Sequence, residues 1–113
     1  MLQVLGRATS GNVQKVLFLL EEIGVPYDRK DYGRIFENTT TSPEYKAMNP
    51  TLKVPTIVDG DLSVWESHTI LRYLATKHGA TSLYPADPGP RTQVERWMDW
   101  SLAALYAVYL GGF

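Results

Sequence analysis

The chain has 113 residues, 44% hydrophobic and 20% charged, with a formal net charge of −1, enough for about one modest domain with one core. Neither a basic excess nor an acidic run is present, which argues against a nucleic-acid binder and a solvating tail and favours a small soluble ligand. Cysteine is absent, so disulfides, thiolate metal ligands and thiol nucleophiles are excluded and any sulfur chemistry must arrive with the ligand.

The opening "MLQVLGRATS" is too short and too polar for the apolar segment of a signal peptide. No apolar run approaches the roughly 18 residues needed to span a bilayer, so a cytoplasmic protein without a membrane partner is expected. Leu2 and Val4 mark a short strand ended by Gly6. From Asn12 onward Val13, Val16, Leu17, Leu20 and Ile23 recur at helical spacing, with Phe18 and Leu19 widening the apolar face. This helix starts near Gly11, and Gly24 and Pro26 stop it.

"VPYDRKDY" (25–32) follows through so short a link that strand, helix and strand are expected to form a right-handed parallel βαβ unit. "YGRIFENTTT" reads as loop. In "TSPEYKAMNP" Ser42 suits the cap, Pro43 the first helical position and Glu44 the first turn, and Asn49-Pro50 ends a short helix. Thr56 to Val58 and Leu62 to Trp65 then form strands joined through Asp59-Gly60, a strong hairpin signal. Ser67 is positioned to cap a further helix with Ile70, Leu71, Leu74 and Ala75 inward, ending at His78-Gly79. The order is βαβαββα.

"ATSLYPADPGP" (80–90) holds three of the seven prolines and reads as a connector. One long helix is expected to begin near Arg91, marked by Val94, Met98, Ser101, Leu105 and Val108. The 13 residues from Ser101 to Phe113 carry no charge, and a helix apolar on so many sides needs a cover: further helices or a partner subunit.

The stretch "NPTLKVPTIVDGDLSVWESHTILRYLATKHG" (49–79) carries Val-Pro, Asp-Gly, Glu-Ser and Ile-Leu-Arg-Tyr-Leu in order, and "GRATSGNVQKVLFLLEEIGVPYD" precedes it. These motifs resemble the amino-terminal, thioredoxin-like half of the cytosolic glutathione S-transferases, above all the bacterial branch and the serine-using theta-like classes. The resemblance covers essentially the whole chain. It implies an α/β fold: residues 1–79 as a thioredoxin-like βαβαββα glutathione-binding domain with a mixed four-stranded sheet, 80–90 as linker, and 91–113 as the start of an all-α carboxy-terminal domain. It also implies a homodimer, docked through the helix-three face around His68 and Arg72 and the surface of helix four.

An X-Pro bond prefers trans by about 0.5–1 kcal/mol, and proline is tolerated at the first residue of a strand because it has no ladder donor to lose. The resemblance instead implies a cis Val54-Pro55 bond, with the Val54 backbone paired to the cysteinyl unit of glutathione like one more strand. Glu66-Ser67 at a helix start would receive the γ-glutamyl end: unpaired N–H groups and the Ser67 hydroxyl for its carboxylate, Glu66 for its ammonium. The plain alternative is that Ser67 caps the helix and Glu66 complements its dipole, the cap contributing about 1 kcal/mol. The abrupt strand-to-helix junction also predicts an unusual backbone conformation at Glu66. Lys53 matches a position that approaches the glycyl carboxylate, and a solvated lysine is the alternative. The polar loop 34–41 departs from the better-known classes and receives no assignment.

A free cysteine thiol has a pKa of about 8.5, and lowering it by about two units requires roughly 2.7 kcal/mol. One charge-assisted hydrogen bond contributes about 1.5–3 kcal/mol, so a hydroxyl donor beside a helix start suffices. "RATSGN" (7–12) lies where strand one meets helix one, and Ser10, counted back from Pro26, matches the theta-like catalytic serine. Asn12 and Thr9 are the alternatives, and capping is compatible with catalysis because both use the same geometry. His68 has no second ligand at metal spacing and no metal is expected; Trp65, Trp97 and Trp100 read as packing residues. The function so read is a transferase that stabilises the thiolate of glutathione, its co-substrate, for attack on an electrophilic small molecule. The alternatives are a non-catalytic scaffold of the same fold, or glutathione-dependent reduction of peroxides or disulfides; a dithiol glutaredoxin is excluded by the absent cysteines.

Overall fold

Four short strands and three helices fill the first two thirds of the chain, and the computed structural model describes residues 1–33, 39–106 and 108. The elements run β1 (Leu2–Leu5), α1 (Gly11–Ile23), β2 (Tyr27–Lys30), α2 (Pro43–Met48), β3 (Thr56–Asp59), β4 (Leu62–Trp65), α3 (Ser67–Lys77) and α4 (Pro88–Trp100). The sheet order is β2-β1-β3-β4, with β1 parallel to β2 and antiparallel to β3, and β3 antiparallel to β4. The βαβαββα order and the mixed sheet are those expected. The expected loop over 32–41 has its centre, residues 34–38, outside the described residues.

Alternation along the strands divides the interior into two faces. Leu2 and Val4 share a face with Ile57, which pairs directly with Val4. They form one core with Val13, Val16 and Leu20 of α1 and Ile70 and Leu74 of α3. Most of these are fully buried, and each such aliphatic side chain contributes about 1.5–3 kcal/mol. Leu5 pairs with Thr56 and Thr56 with Trp65 on the opposite face. There the buried Tyr45 of α2 donates no apolar contact alone: its hydroxyl accepts a hydrogen bond from Thr56 Oγ1 at 2.8 Å. α1 and α3 therefore serve one face of the sheet and α2 the other.

Local signals set most of the ends. Ser10, in extended backbone, accepts from the Val13 N–H, and Gly24 closes α1 at φ 71. Ser42 caps α2 with Pro43 in its first turn, as expected. α4 begins at Pro88, three residues before the expected Arg91, with Asp87 extended at φ −69, ψ 129. Pro88 and Pro90 fit inside a first turn, where an N–H has no intrahelical partner to lose, so these prolines start the helix they were expected to precede.

The chain divides into two compact units, Met1–Leu74 and Ala75–Phe113. In the second, the connector is fastened to α4: the Tyr84 hydroxyl donates to Glu95 Oε2 at 2.7 Å, Arg91 Nε donates to the Pro85 carbonyl at 2.8 Å, and the Arg91 guanidinium sits 4.4 Å over the Tyr84 ring. α4 continues as a π-helical turn over Ser101–Leu105, and neither segment has a buried residue. Trp97 and Trp100 are 65% and 48% exposed and meet edge to face at 5.8 Å. Of the three tryptophans read as packing residues, these two pack on each other. No helix of the described residues is long and apolar enough to cross a membrane.

Candidate glutathione site

Strand register gathers the candidate residues. Leu5 pairs with Thr56 and Thr56 with Trp65, so the next residue outward on each strand is Gly6, Pro55 and Glu66. The end of β1, the start of β3 and the end of β4 therefore lie at one end of the sheet, and the segments leading to α1 and α3 leave from it. Gly6 makes the close approach possible: a Cβ there would stand 2.5 Å from Val13 Cγ2 and 3.2 Å from the Val54 Cβ. Any larger residue would push the start of α1 and the Val54 turn apart.

At the start of α1, Ser10 is 8% exposed and its Oγ accepts the Val13 N–H at a long 3.4 Å. The hydroxyl proton remains available to donate. Thr9 is exposed and Asn12 half-buried in the first turn, so of the candidate sulfur contacts Ser10 alone is buried at the cap.

The Val54 turn is held from behind. The Val54-Pro55 bond is cis. The Lys53 carbonyl accepts from the Tyr45 hydroxyl and, at 3.0 Å, from Asn49 Nδ2, which also donates to Thr56 Oγ1 at 3.0 Å. Asn49 Oδ1 accepts in turn from the Thr51 N–H at 2.9 Å and the Thr51 hydroxyl at 2.7 Å. Asn49, 1% exposed, thus satisfies its whole amide by tying the chain on both sides of Val54. Burial, the largest influence, pushes the Tyr45 phenol above its ordinary pKa, while its bonds to Thr56 and Asn49 pull it down. Among the described residues the Val54 N–H and C=O have no backbone hydrogen-bond partner, and Val54 is half-buried. The Lys53 side chain is exposed.

At the third place Glu66 has φ 74, the left-handed conformation that an ordinary residue adopts at a cost. The unusual backbone expected there is present. Its consequence differs from expectation in one respect: the Ile70 N–H bonds to the Glu66 carbonyl at 2.9 Å, so Glu66 holds the cap position and Ser67 is the first helical residue. Ser67 does not cap α3. Its side chain is 6% exposed, while the Glu66 side chain is exposed.

His68 is 5% exposed, with Nε2 lying 3.1 Å from Lys15 Nζ of α1. Its ring is therefore buried between α1 and α3, and of the two residues named for the expected docking face only Arg72 is partly exposed. Among the described residues no group of three His, Cys, Asp or Glu could hold a metal ion.

Comparison with known proteins decides the family. The sequence profile of the glutathione S-transferase amino-terminal domain matches residues 9–77. The chain belongs to the glutathione S-transferase family. It is 40% identical over 113 residues to glutathione S-transferase GstB of Escherichia coli (strain K12), covering 98% of this chain and 54% of that protein. Glutathione S-transferase 1 of Manduca sexta is 34% identical over 97 residues, covering 85% of this chain and 45% of the other. The chain thus spans about half the length of the curated transferases it matches. Among solved structures, the theta class glutathione S-transferase of Xanthomonas axonopodis pv. citri with glutathione bound superposes with a TM-score of 0.89 at 42% identity, over 95% of this chain and 51% of that one. The fold is accordingly the thioredoxin-like amino-terminal fold of the transferases.

The sequence reading missed the Tyr45–Asn49–Thr56 network and Lys15. Asn49 was read only as the end of α2, although a buried amide beside a Pro-rich turn is a recurrent means of holding such a turn. Nothing local marked Lys15, because its partners are brought to it by α3.

Proposed function

We propose that the chain binds glutathione across the gathered sheet end and stabilises its thiolate for attack on an electrophilic small molecule. The observation that carries this reading is the register that takes Gly6, Pro55 and Glu66 to one end of the sheet. The unpaired Val54 backbone would receive the cysteinyl unit as an added strand. The start of α3, with Ser67 and Glu66, would receive the carboxylate and ammonium of the γ-glutamyl end. Lys53, on an exposed side chain beside the turn, would approach the glycyl carboxylate. Ser10 would donate its proton to the sulfur, with the N-terminus of α1 adding some tenths of a kcal/mol to about 1. Asn12 and Thr9 remain the secondary donors.

The glutathione-bound theta class relative supports the ligand. Residues 80–90 are proposed as the connector to a helical part beginning with α4, and a cytoplasmic homodimer as the working form. Calorimetric titration with glutathione, followed by turnover of a generic aryl halide by the Ser10→Ala variant, tests the proposal. Binding with a large loss of turnover is expected. Unchanged turnover removes Ser10 from its role, and absence of binding favours a scaffold of the same fold.

A further inference from the structure

Lys15 stands off the apolar face that Val13, Val16 and Leu20 give to α1, yet it is half-buried. Its Nζ meets His68 Nε2 at 3.1 Å. An ammonium carries donors only, so Nε2 must be the acceptor, which leaves the ring proton on Nδ1. Burial, the largest influence, lowers the pKa of Lys15, and the negative charge of Glu66 raises it. Taking an ammonium from water is unfavourable unless it is paired. His68, whose Nε2 lies 3.1 Å from the ammonium, is the residue after Ser67. A cation on α1 thus meets α3 one residue beyond the serine that opens it.

We propose that Lys15 is a positioning residue of the glutathione site, which fixes His68, the residue after Ser67, as an Nε2 acceptor, so that the start of α3 keeps the conformation that receives the γ-glutamyl end. This inference rests on the glutathione reading above. It differs from a purely structural role in sign: burying a lysine does not stabilise the fold, so removing it should weaken the ligand without weakening the protein.

The test uses Lys15→Met, Lys15→Arg, His68→Phe and the Lys15→Met/His68→Phe double variant, with glutathione titrated by calorimetry and the His68 ring followed by long-range nitrogen NMR. Residues in contact couple strongly enough for about a tenfold change in affinity. Lys15→Met should lose about that factor with no fall in thermal midpoint, Lys15→Arg should recover most of it, and the double variant should lose little more than either single one. The ring nitrogens should leave the Nδ1–H pattern in Lys15→Met. Unchanged affinity, an unchanged ring pattern or additive losses would overturn the inference. Failure of the unsubstituted chain to bind glutathione would overturn the glutathione reading and, with it, the positioning role, while the ring pattern would still report whether Lys15 fixes His68.

Discussion

The starts of α1 and α3 each place a buried serine at the same end of the sheet, with Ser10 8% and Ser67 6% exposed, and use it differently. Ser10 precedes its helix in extended backbone and its oxygen accepts the Val13 N–H. Ser67 already lies inside its helix, because Glu66 at φ 74 turns the chain one residue earlier. The Ile70 N–H is taken by the Glu66 carbonyl at 2.9 Å, so the cap position of α3 is filled by the residue before the serine. The same residue type thus caps its own helix in one place and follows the cap in the other. The backbone conformation before the serine, rather than the serine itself, decides between the two.

The widest disturbance to this contrast comes from the turn that both starts face. Asn49→Ala removes the amide that ties Lys53, Thr51 and Thr56 and should cost about 2–4 kcal/mol in urea unfolding, with glutathione affinity reduced as well. A loss within 0.5 kcal/mol, on the order of a surface substitution, would show that the turn holds without it.

The serines then separate the two starts. Ser10→Ala should cost about 1 kcal/mol of stability as a lost cap and about 10- to 100-fold in turnover as a lost charge-assisted donor. Ser67→Ala should leave stability within about 0.5 kcal/mol and lower only the affinity for glutathione. Equal destabilisation by both would break the contrast.

Glu66→Gly sharpens it further. Relief of the left-handed conformation should make the glycine variant about 1 kcal/mol more stable than Glu66→Ala, which lacks the same carboxylate, while both should bind glutathione about tenfold more weakly; a glycine variant no more stable than the alanine one would contradict the assignment of strain.

The smallest effect concerns pH. The folded-state pKa of Lys15 is lowered from 10.5, so between that lowered value and 10.5 the unfolded chain binds more protons and this group makes stability rise with pH. Below the lowered value Lys15 is charged in both states and its burial works against the fold. Lys15→Met should therefore gain stability below the lowered value, and the gain should shrink as pH approaches 10.5. Thermal melts of both proteins across that range check the sign.

Element order was legible in advance because its signals are local: the spacing of Val13, Val16 and Leu20, the Ser42-Pro43 start, and Asp59-Gly60 between two strands. The Val54-Pro55, Glu66 and Ser10 candidates followed from motif order. The start of α4 was misplaced because Pro88 and Pro90 are breakers in mid-chain but permitted in a first turn. Trp97 and Trp100 show the limit of helical spacing, which marks a face as apolar without showing what covers it.

By itself the sequence determined the strands, helices, caps and turns, and the residue types offered at each start, since these depend on contacts within a few positions of the chain. Tertiary structure alone decided that Glu66 rather than Ser67 would cap α3, that Asn49 and Tyr45 would clamp the Lys53 carbonyl, and that Lys15 would meet His68 across 53 positions. Those pairings depend on sheet register and on which face each helix buries, and both are set only when the strands assemble.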